Sequence, residues 1–457
     1  MARVKIPREA MAVLLVDAQG QGAPLVSHRA NIAMNPASVM KLVTTYAALD
    51  LLGPSYTWAT PVFIDGTVRD GTLNGNLTIQ GQGDPKLVLE RLWLLLRRVQ
   101  GLGIHTITGD IVLDNTAFTV PATDPSAFDG EPLRPYNALP DALLINFKSV
   151  AMTFTPDPGN TQARVQFDPP LAGVQMQATV PLLAGDCPDY RSALRADFTD
   201  PKAIRFAGGY AQSCGEKVWP VAYADPKTYA TRAVQGMWQM MGGKLSGSVR
   251  EGRVSGTTAA AYKPVFEVRS APLGEIVRDI NKYSNNVMSQ QVYLTMGRVL
   301  TPPVPVAGVV GAAGASDPVT APGTFAASHK VVQRWWMERL GADDLPVLEN
   351  GSGLSRNERI SANALGRLLQ VAYASPLMPE LMASLPINGV DGTLRRARNR
   401  ANGYAHLKTG SLNEVVAVAG YVHAAAGKRY VLVAIVNHPN ARASKLAIDA
   451  MVDWASK

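Results

Sequence analysis

A serine hydroxyl and a lysine amine stand three residues apart in Pro36-Ala37-Ser38-Val39-Met40-Lys41. On a helix that spacing puts both on one face. The amine can then take the hydroxyl proton and leave an oxygen nucleophile, provided the amine is neutral. The surrounding residues supply that condition. Leu42, Val43, Tyr46, Leu49 and Leu51 make the segment apolar on nearly every side, so it belongs inside a domain, where desolvation lowers an amine's pKa. The spacing predicts a helix that starts near Pro36, whose missing N–H is harmless in a first turn, and stops at Gly53-Pro54. Taken alone the pair is a common one, and on the plainer reading Ser38 is a small residue in a buried turn while Lys41 snorkels to the surface. It is, however, the only Ser-x-x-Lys in the chain, and downstream, in His406-Leu407-Lys408-Thr409-Gly410-Ser411, lies the only Lys-Thr-Gly.

Composition bounds what these residues can belong to. With 457 residues, 47% of them hydrophobic and 18% charged, the chain can bury sizeable cores and is expected to form two or three domains. No apolar run is long enough for a membrane span, and Arg97-Arg98 interrupts the leucine-rich Leu92 to Leu96, so no transmembrane anchor is expected. Ala10 to Val16 is too short, and too soon followed by Asp17, for a secretory core, and reads as a strand. An exported protein given without its signal peptide would look the same. The net charge of +8 favours anionic partners, but the charges are scattered without interleaved aromatics, which argues against nucleic acid. Cys187 and Cys214 are the only cysteines, and two cysteines bracketing a loop suit one disulfide in an oxidising compartment better than a metal site. The six histidines show no ligand spacing, so neither metal nor cofactor is expected.

The elements that must position the motifs can be read in order. Ala12 to Val16 and Pro24 to Ser27 read as a hairpin leading into the Ser38 helix. From about Trp58 to Tyr262 the texture changes. This section holds strands near Leu77 to Ile79 and Gly109 to Leu113, and helices over Lys86 to Val99 and Tyr229 to Met241. Within it, about 148 to 215 is alternating and turn-rich, as a smaller β unit would be. Val265 to Val268 reads as a strand leading back to the first domain. Residues 274 to 297 have helical spacing interrupted by Ser284-Asn285-Asn286, residues that prefer caps and turns. Thr301 to Gly323 reads as an irregular surface loop. Three strands follow, in Tyr404 to Lys408, Glu414 to Val422 and Tyr430 to Val436, with a last helix over Ala441 to Trp454. Those strands can join the N-terminal hairpin in one antiparallel sheet.

Ser38-x-x-Lys41, Ser284-x-Asn286 and Lys408-Thr409-Gly410, in that order, resemble the active site of the penicillin-binding proteins and serine β-lactamases. Ser-x-Asn recurs elsewhere, and Ser284 is chosen because it interrupts a helix. Far more residues separate Ser38 from Ser284 than in a compact β-lactamase. That length, with Gly81-Gln82-Gly83-Asp84-Pro85, Gly109 to Asp114, Asn350 to Arg356 and Gly389 to Arg395, resembles the D-alanyl-D-alanine carboxypeptidase/endopeptidase family, the class C low-molecular-mass penicillin-binding proteins of peptidase family S13.

The resemblance implies an α+β fold, a penicillin-binding-protein/β-lactamase-like domain with a five-stranded antiparallel sheet and helices on both sides. That domain would be discontinuous, residues 1–60 and 265–457, around an inserted section at 61–264. It implies a serine peptidase acting on the D-Ala-D-Ala bond of peptidoglycan stem peptides and on cross-links, acylated by β-lactam antibiotics and located in the periplasm or otherwise outside the cytoplasm. Ser38 would be the nucleophile, Lys41 its base and Ser284 the proton relay. Asn286 would hold the peptide amide, Lys408 would supply positive field, Thr409 and Ser411 would hold the terminal carboxylate, and Gly410 would let the strand approach the ligand. Some members carry a carboxylate that meets the side-chain amine of the substrate. The comparable stretch here, Asn146-Phe147-Lys148, is a recognition candidate without one. A β-lactamase, or a non-catalytic wall-binding protein on the same scaffold, are the alternative readings.

Overall fold

The computed structural model describes residues 2–187, 189–254, 263–302 and 321–457. The chain divides into two compact units, one of Met1–Thr57, Phe118–Val120 and Ala271–Lys457, the other of Trp58–Ala117 and Pro121–Ser270. The seams therefore fall a few residues from those expected, and a short segment of the intervening section returns to the first unit. Most of the expected loop at Thr301 to Gly323 lies outside the described residues. Among the described residues no helix is long and apolar enough to cross a membrane.

The first unit is built on one antiparallel sheet. Strands β1 (Met11–Asp17) and β2 (Val26–His28) come from the N-terminal hairpin, and β3 (Ala405–Leu412), β4 (Val415–His423) and β5 (Arg429–Asn437) from the C-terminal part, in the order β3-β4-β5-β1-β2. The near-continuous apolar runs of β4 and β5 follow from burial on both faces. On one face Val13, Leu15, Leu407 and Leu432 pack with Ile448 and Val452 of the C-terminal helix Lys445–Ala455. Alternation sends Leu14 to the other face, where the helix Ala362–Ala374 comes so close that a side chain on Gly366 would lie 2.4 Å from a Leu14 methyl. Since Leu407 faces the C-terminal helix, Lys408 faces the opposite side.

On that opposite side helix α1 (Lys41–Leu52) packs against α2 (Leu273–Tyr283) and α3 (Asn286–Val299). Every residue of α1 from Lys41 to Leu49 is buried, as its all-round apolar pattern requires. The helix does not start at Pro36. Ala37–Met40 form a tighter 3₁₀ turn and the α-helix begins at Lys41, because Ala37 takes a left-handed conformation (φ 48°) that no regular helix accommodates. The final helix is likewise preceded by a 3₁₀ turn at Ala441–Ser444.

The second unit holds a seven-stranded sheet, a five-stranded sheet and a three-stranded one. The strand expected at Val265 to Val268 is Phe266–Arg269; it pairs antiparallel with Ala59–Val62 in the second unit, where Phe266 is buried under the Arg98 guanidinium, and the first unit resumes at Ala271 just after it. The helix expected from Lys86 begins at Leu89, since the Asp84 carboxylate accepts the Lys86 N–H and holds that stretch in a turn. The β-rich stretch runs on to Ala222 and has no core of its own. Val150, Phe154 and Tyr210 share one apolar cluster with Leu77, Leu95 and Trp238. Cys187 and Cys214 are bonded, with Cα atoms 5.0 Å apart.

Candidate active site

Ser38 sits in the 3₁₀ turn one step before α1, half-buried, and Lys41 is fully buried at the start of the helix. The three-residue spacing brings Lys41 Nζ to 2.9 Å from Ser38 Oγ. Two further oxygens meet the same nitrogen, Asn286 Oδ1 at 2.6 Å and the Ser352 carbonyl. A carbonyl oxygen and an amide oxygen can only accept, whereas the serine hydroxyl can donate. A neutral amine has two N–H donors and one lone pair, and so satisfies all three at once. Burial drives the nitrogen the same way: desolvation, reinforced by the nearby Lys408 and opposed by Glu358, holds Lys41 well below the usual lysine range.

The turn that carries Ser38 is clamped between two backbones. A Cβ on Gly410 of β3 would lie 2.4 Å from the Pro36 carbonyl oxygen and 3.1 Å from the Ser38 nitrogen. One on Gly353 would lie 2.0 Å from the Ala37 carbonyl oxygen, and Gly353 is also left-handed at φ 77°. Only glycine meets both demands there. Gly410 thus admits the Ser38 turn itself to the strand, a tighter constraint than room for a ligand.

Ser284 ends α2 in the left-handed conformation (φ 58°), and Asn285 caps α3 by accepting the Met288 N–H at 3.1 Å. This break lets Ser284 and Asn286 reach different partners. Asn286 Oδ1 takes Lys41, while Ser284 Oγ lies 2.9 Å from Lys408 Nζ. Lys408 also donates to the Thr409 carbonyl at 2.7 Å, is fully buried, and is lowered by desolvation to about 7. Thr409 Oγ1 is 2.7 Å from Thr393 Oγ1, and the Ser411 side chain is exposed one step beyond Gly410.

Asn146, Phe147 and Lys148 lie in the second unit. All three are left-handed, at φ 42°, 56° and 51°. Their polar groups have local partners: Asn146 accepts from the Leu89 N–H at 3.3 Å and donates to the Ser149 carbonyl at 3.1 Å, and Lys148 pairs with Asp141 at 2.9 Å. Among the described residues no cluster of His, Cys, Asp and Glu could hold a metal ion.

Sequence reasoning missed the backing of Lys41. Ser352 supplies a carbonyl, and Glu358, 1% exposed, lies close enough for its charge to act on Lys41. In Asn357-Glu358-Arg359 nothing local announces burial.

Ser38, Lys41, Ser284, Asn286 and Lys408 to Ser411 all belong to the first unit. They bring a buried amine, held below the usual lysine range, to a serine and set a second depressed lysine beside a second serine, an arrangement suited to acyl transfer. The chain is 26% identical over 440 residues to a D-alanyl-D-alanine carboxypeptidase of Actinomadura sp. strain R39, covering 89% of this chain and 74% of the relative. Its fold matches that of penicillin binding protein 4 (dacB) from Haemophilus influenzae with a TM-score of 0.69 at 21% identity, over 94% of this chain and 90% of the other. It also matches a penicillin G-acylated predatory endopeptidase of Bdellovibrio bacteriovorus, with a TM-score of 0.53 at 14% identity, over 97% and 91%. The model of the D-Ala-D-Ala carboxypeptidase 3 (S13) family matches residues 2–457, and the chain belongs to that family.

Proposed function

We propose that Ser38, with Lys41 as its base, carries the D-Ala-D-Ala carboxypeptidase chemistry of this S13 family member. The observation that supports it most is the Lys41 amine at 2.9 Å from Ser38 Oγ, with its two hydrogens occupied by oxygens that can only accept. The free lone pair then faces the hydroxyl. As Ser38 Oγ attacks the carbonyl between the two terminal D-alanines, its proton passes to Lys41 Nζ and an O–C bond forms. Backbone N–H groups of Ser38 and Ser411 are the donors assigned to the developing oxyanion. Ser284, bonded to Lys408, returns a proton to the departing amine, the C–N bond breaks, and D-alanine leaves. Water then releases the acyl-enzyme. Thr409 and Ser411 hold the terminal carboxylate in the field of Lys408.

The substrate class is the peptidoglycan stem peptide, met outside the cytoplasm, with cross-link cleavage as a second use of the same acyl-enzyme. β-Lactams acylate Ser38. A β-lactamase reading is disfavoured because, among the described residues, no carboxylate hydrogen-bonds Ser38 or Lys41 to drive fast deacylation. Release of D-alanine from a diacetylated L-Lys-D-Ala-D-Ala peptide tests the assignment. Turnover lost in Ser38→Ala is expected, and turnover retained in that variant sinks it.

Asn146 to Lys148 are assigned to the longer branch of the substrate. Three consecutive left-handed residues that are not glycine are a costly arrangement, of a kind that gathers at functional sites. Asn146→Asp is expected to raise kcat/KM several-fold for peptides with a free side-chain amine and to leave the diacetylated peptide unchanged. Equal effects on both would remove this stretch from the site.

A further inference from the structure

Behind Lys41 lies a buried acid that the mechanism above does not use. Glu358 Oε1 accepts three backbone N–H groups, those of Glu349 at 2.9 Å, Asn350 at 3.1 Å and Gly351 at 3.2 Å. Its Oε2 has no hydrogen-bond partner among the described residues. The same segment is gripped from its other side. The Gly351 carbonyl accepts Thr44 Oγ1 of α1 at 2.6 Å and Ser289 Oγ of α3 at 2.8 Å, and the next carbonyl, of Ser352, accepts Lys41. Gly351 also presses on Tyr293 of α3, where a Cβ would lie 2.7 Å from the ring.

Three N–H donors converging on one oxygen favour a carboxylate, while burial pushes Glu358 toward its neutral form. Lys41 is the basic group that bears on it. Glu358 faces the Tyr293 phenol too, which burial and then the Glu358 charge hold protonated and which has no hydrogen-bond partner among the described residues. Around Lys41, burial first and then Lys408 oppose protonation, and Glu358 favours it. When Lys41 takes the Ser38 proton, an ammonium forms in a buried site beside Lys408. A buried charge there must be paired to be tolerated.

We propose that Glu358 is the positioning residue of the Lys41 base: it fixes the segment Glu349 to Ser352 so that the Ser352 carbonyl aims the amine at Ser38, and its carboxylate balances the ammonium that forms on attack. This rests on the reading of Lys41 as the base. Ser38 loses its proton to Nζ, the new charge is offset by Glu358 across the segment it holds, and Nζ gives a proton up again as the amine departs and the acyl-enzyme is hydrolysed.

The test is the acylation rate of Glu358→Gln with a fluorescent penicillin from pH 5.5 to 10, alongside the wild type and Glu358→Asp, with intact mass checking for a single penicilloyl group. Glutamine keeps the size and an accepting oxygen but not the charge. Its acidic limb is expected to move to lower pH by about one unit, because Lys41 loses its favouring charge, and its plateau to fall about tenfold or more. Glu358→Asp keeps the charge, so its limb should stay with the wild type while its shorter reach lowers the plateau. A Glu358→Gln profile that superposes on the wild type, or one lowered without any move of the limb, overturns the proposal. If Glu358→Gln does not fold, Glu358→Asp decides: a wild-type plateau overturns the proposal, and a lowered plateau with an unmoved limb supports it. Failure of the wild type itself to be acylated would instead sink the reading beneath it.

Discussion

At the scale of residues, the site depends on two lysines kept from being ordinary lysines. Lys408 is lowered from 10.5 to about 7 by burial. Between those values the unfolded chain binds a proton that the folded chain has released, so folding stability rises with pH from about 7 to about 10 and the full penalty is felt below 7. Lys408→Met removes it. The variant is expected to be more stable than the wild type at pH 6.5, by on the order of 2 to 5 kcal/mol, with the gap closing toward pH 10. Urea midpoints at pH 6.5 and 9.5 check this, and a gap that does not shrink would contradict it. Ser38, Lys41 and Lys408 were legible because their chemistry is written in adjacent residues. Glu358 was not, because its burial comes from the meeting of α1, α3 and the 349–352 segment, which no local pattern records.

At the scale of elements, the site depends on how closely two backbones, those of Gly353 and Gly410, approach the Ser38 turn. The strands were legible from apolar runs and alternation, and Ser284-Asn285-Asn286 was legible as a helix break. The start of α1 was not. The pattern after Lys41 is helical, but the left-handed Ala37 and the crowding by Gly353 and Gly410 are imposed by segments hundreds of residues away. Gly353→Ala should therefore be costly on two counts, a left-handed alanine and a methyl against the Ala37 carbonyl. A loss of about 2 kcal/mol or more is expected, together with slowed penicillin acylation as the Ser38 turn is displaced. Thermal midpoints and acylation rates on the same preparation test it. Full activity in that variant would show that the turn does not need the clamp.

At the scale of the whole molecule, the chemistry and the disulfide lie in different units. Cys187 and Cys214 close a loop with a sequence separation of 27, which stabilises by roughly 3 kcal/mol in the chain-entropy view. Reduction is expected to lower the denaturation midpoint while the folded protein still reacts with penicillin; an unchanged midpoint would contradict it. The change of texture after Trp58 was legible in composition, but the return of Phe118–Val120 to the first unit was not, since three residues carry no pattern. The central claim is that one serine does the chemistry. Incubation with penicillin followed by intact mass and peptide mapping tests it most directly. A single penicilloyl adduct on the peptide holding Ser38, absent from a folded Ser38→Ala variant, is the result expected. An adduct on any other residue, or none on the wild type, would contradict the account.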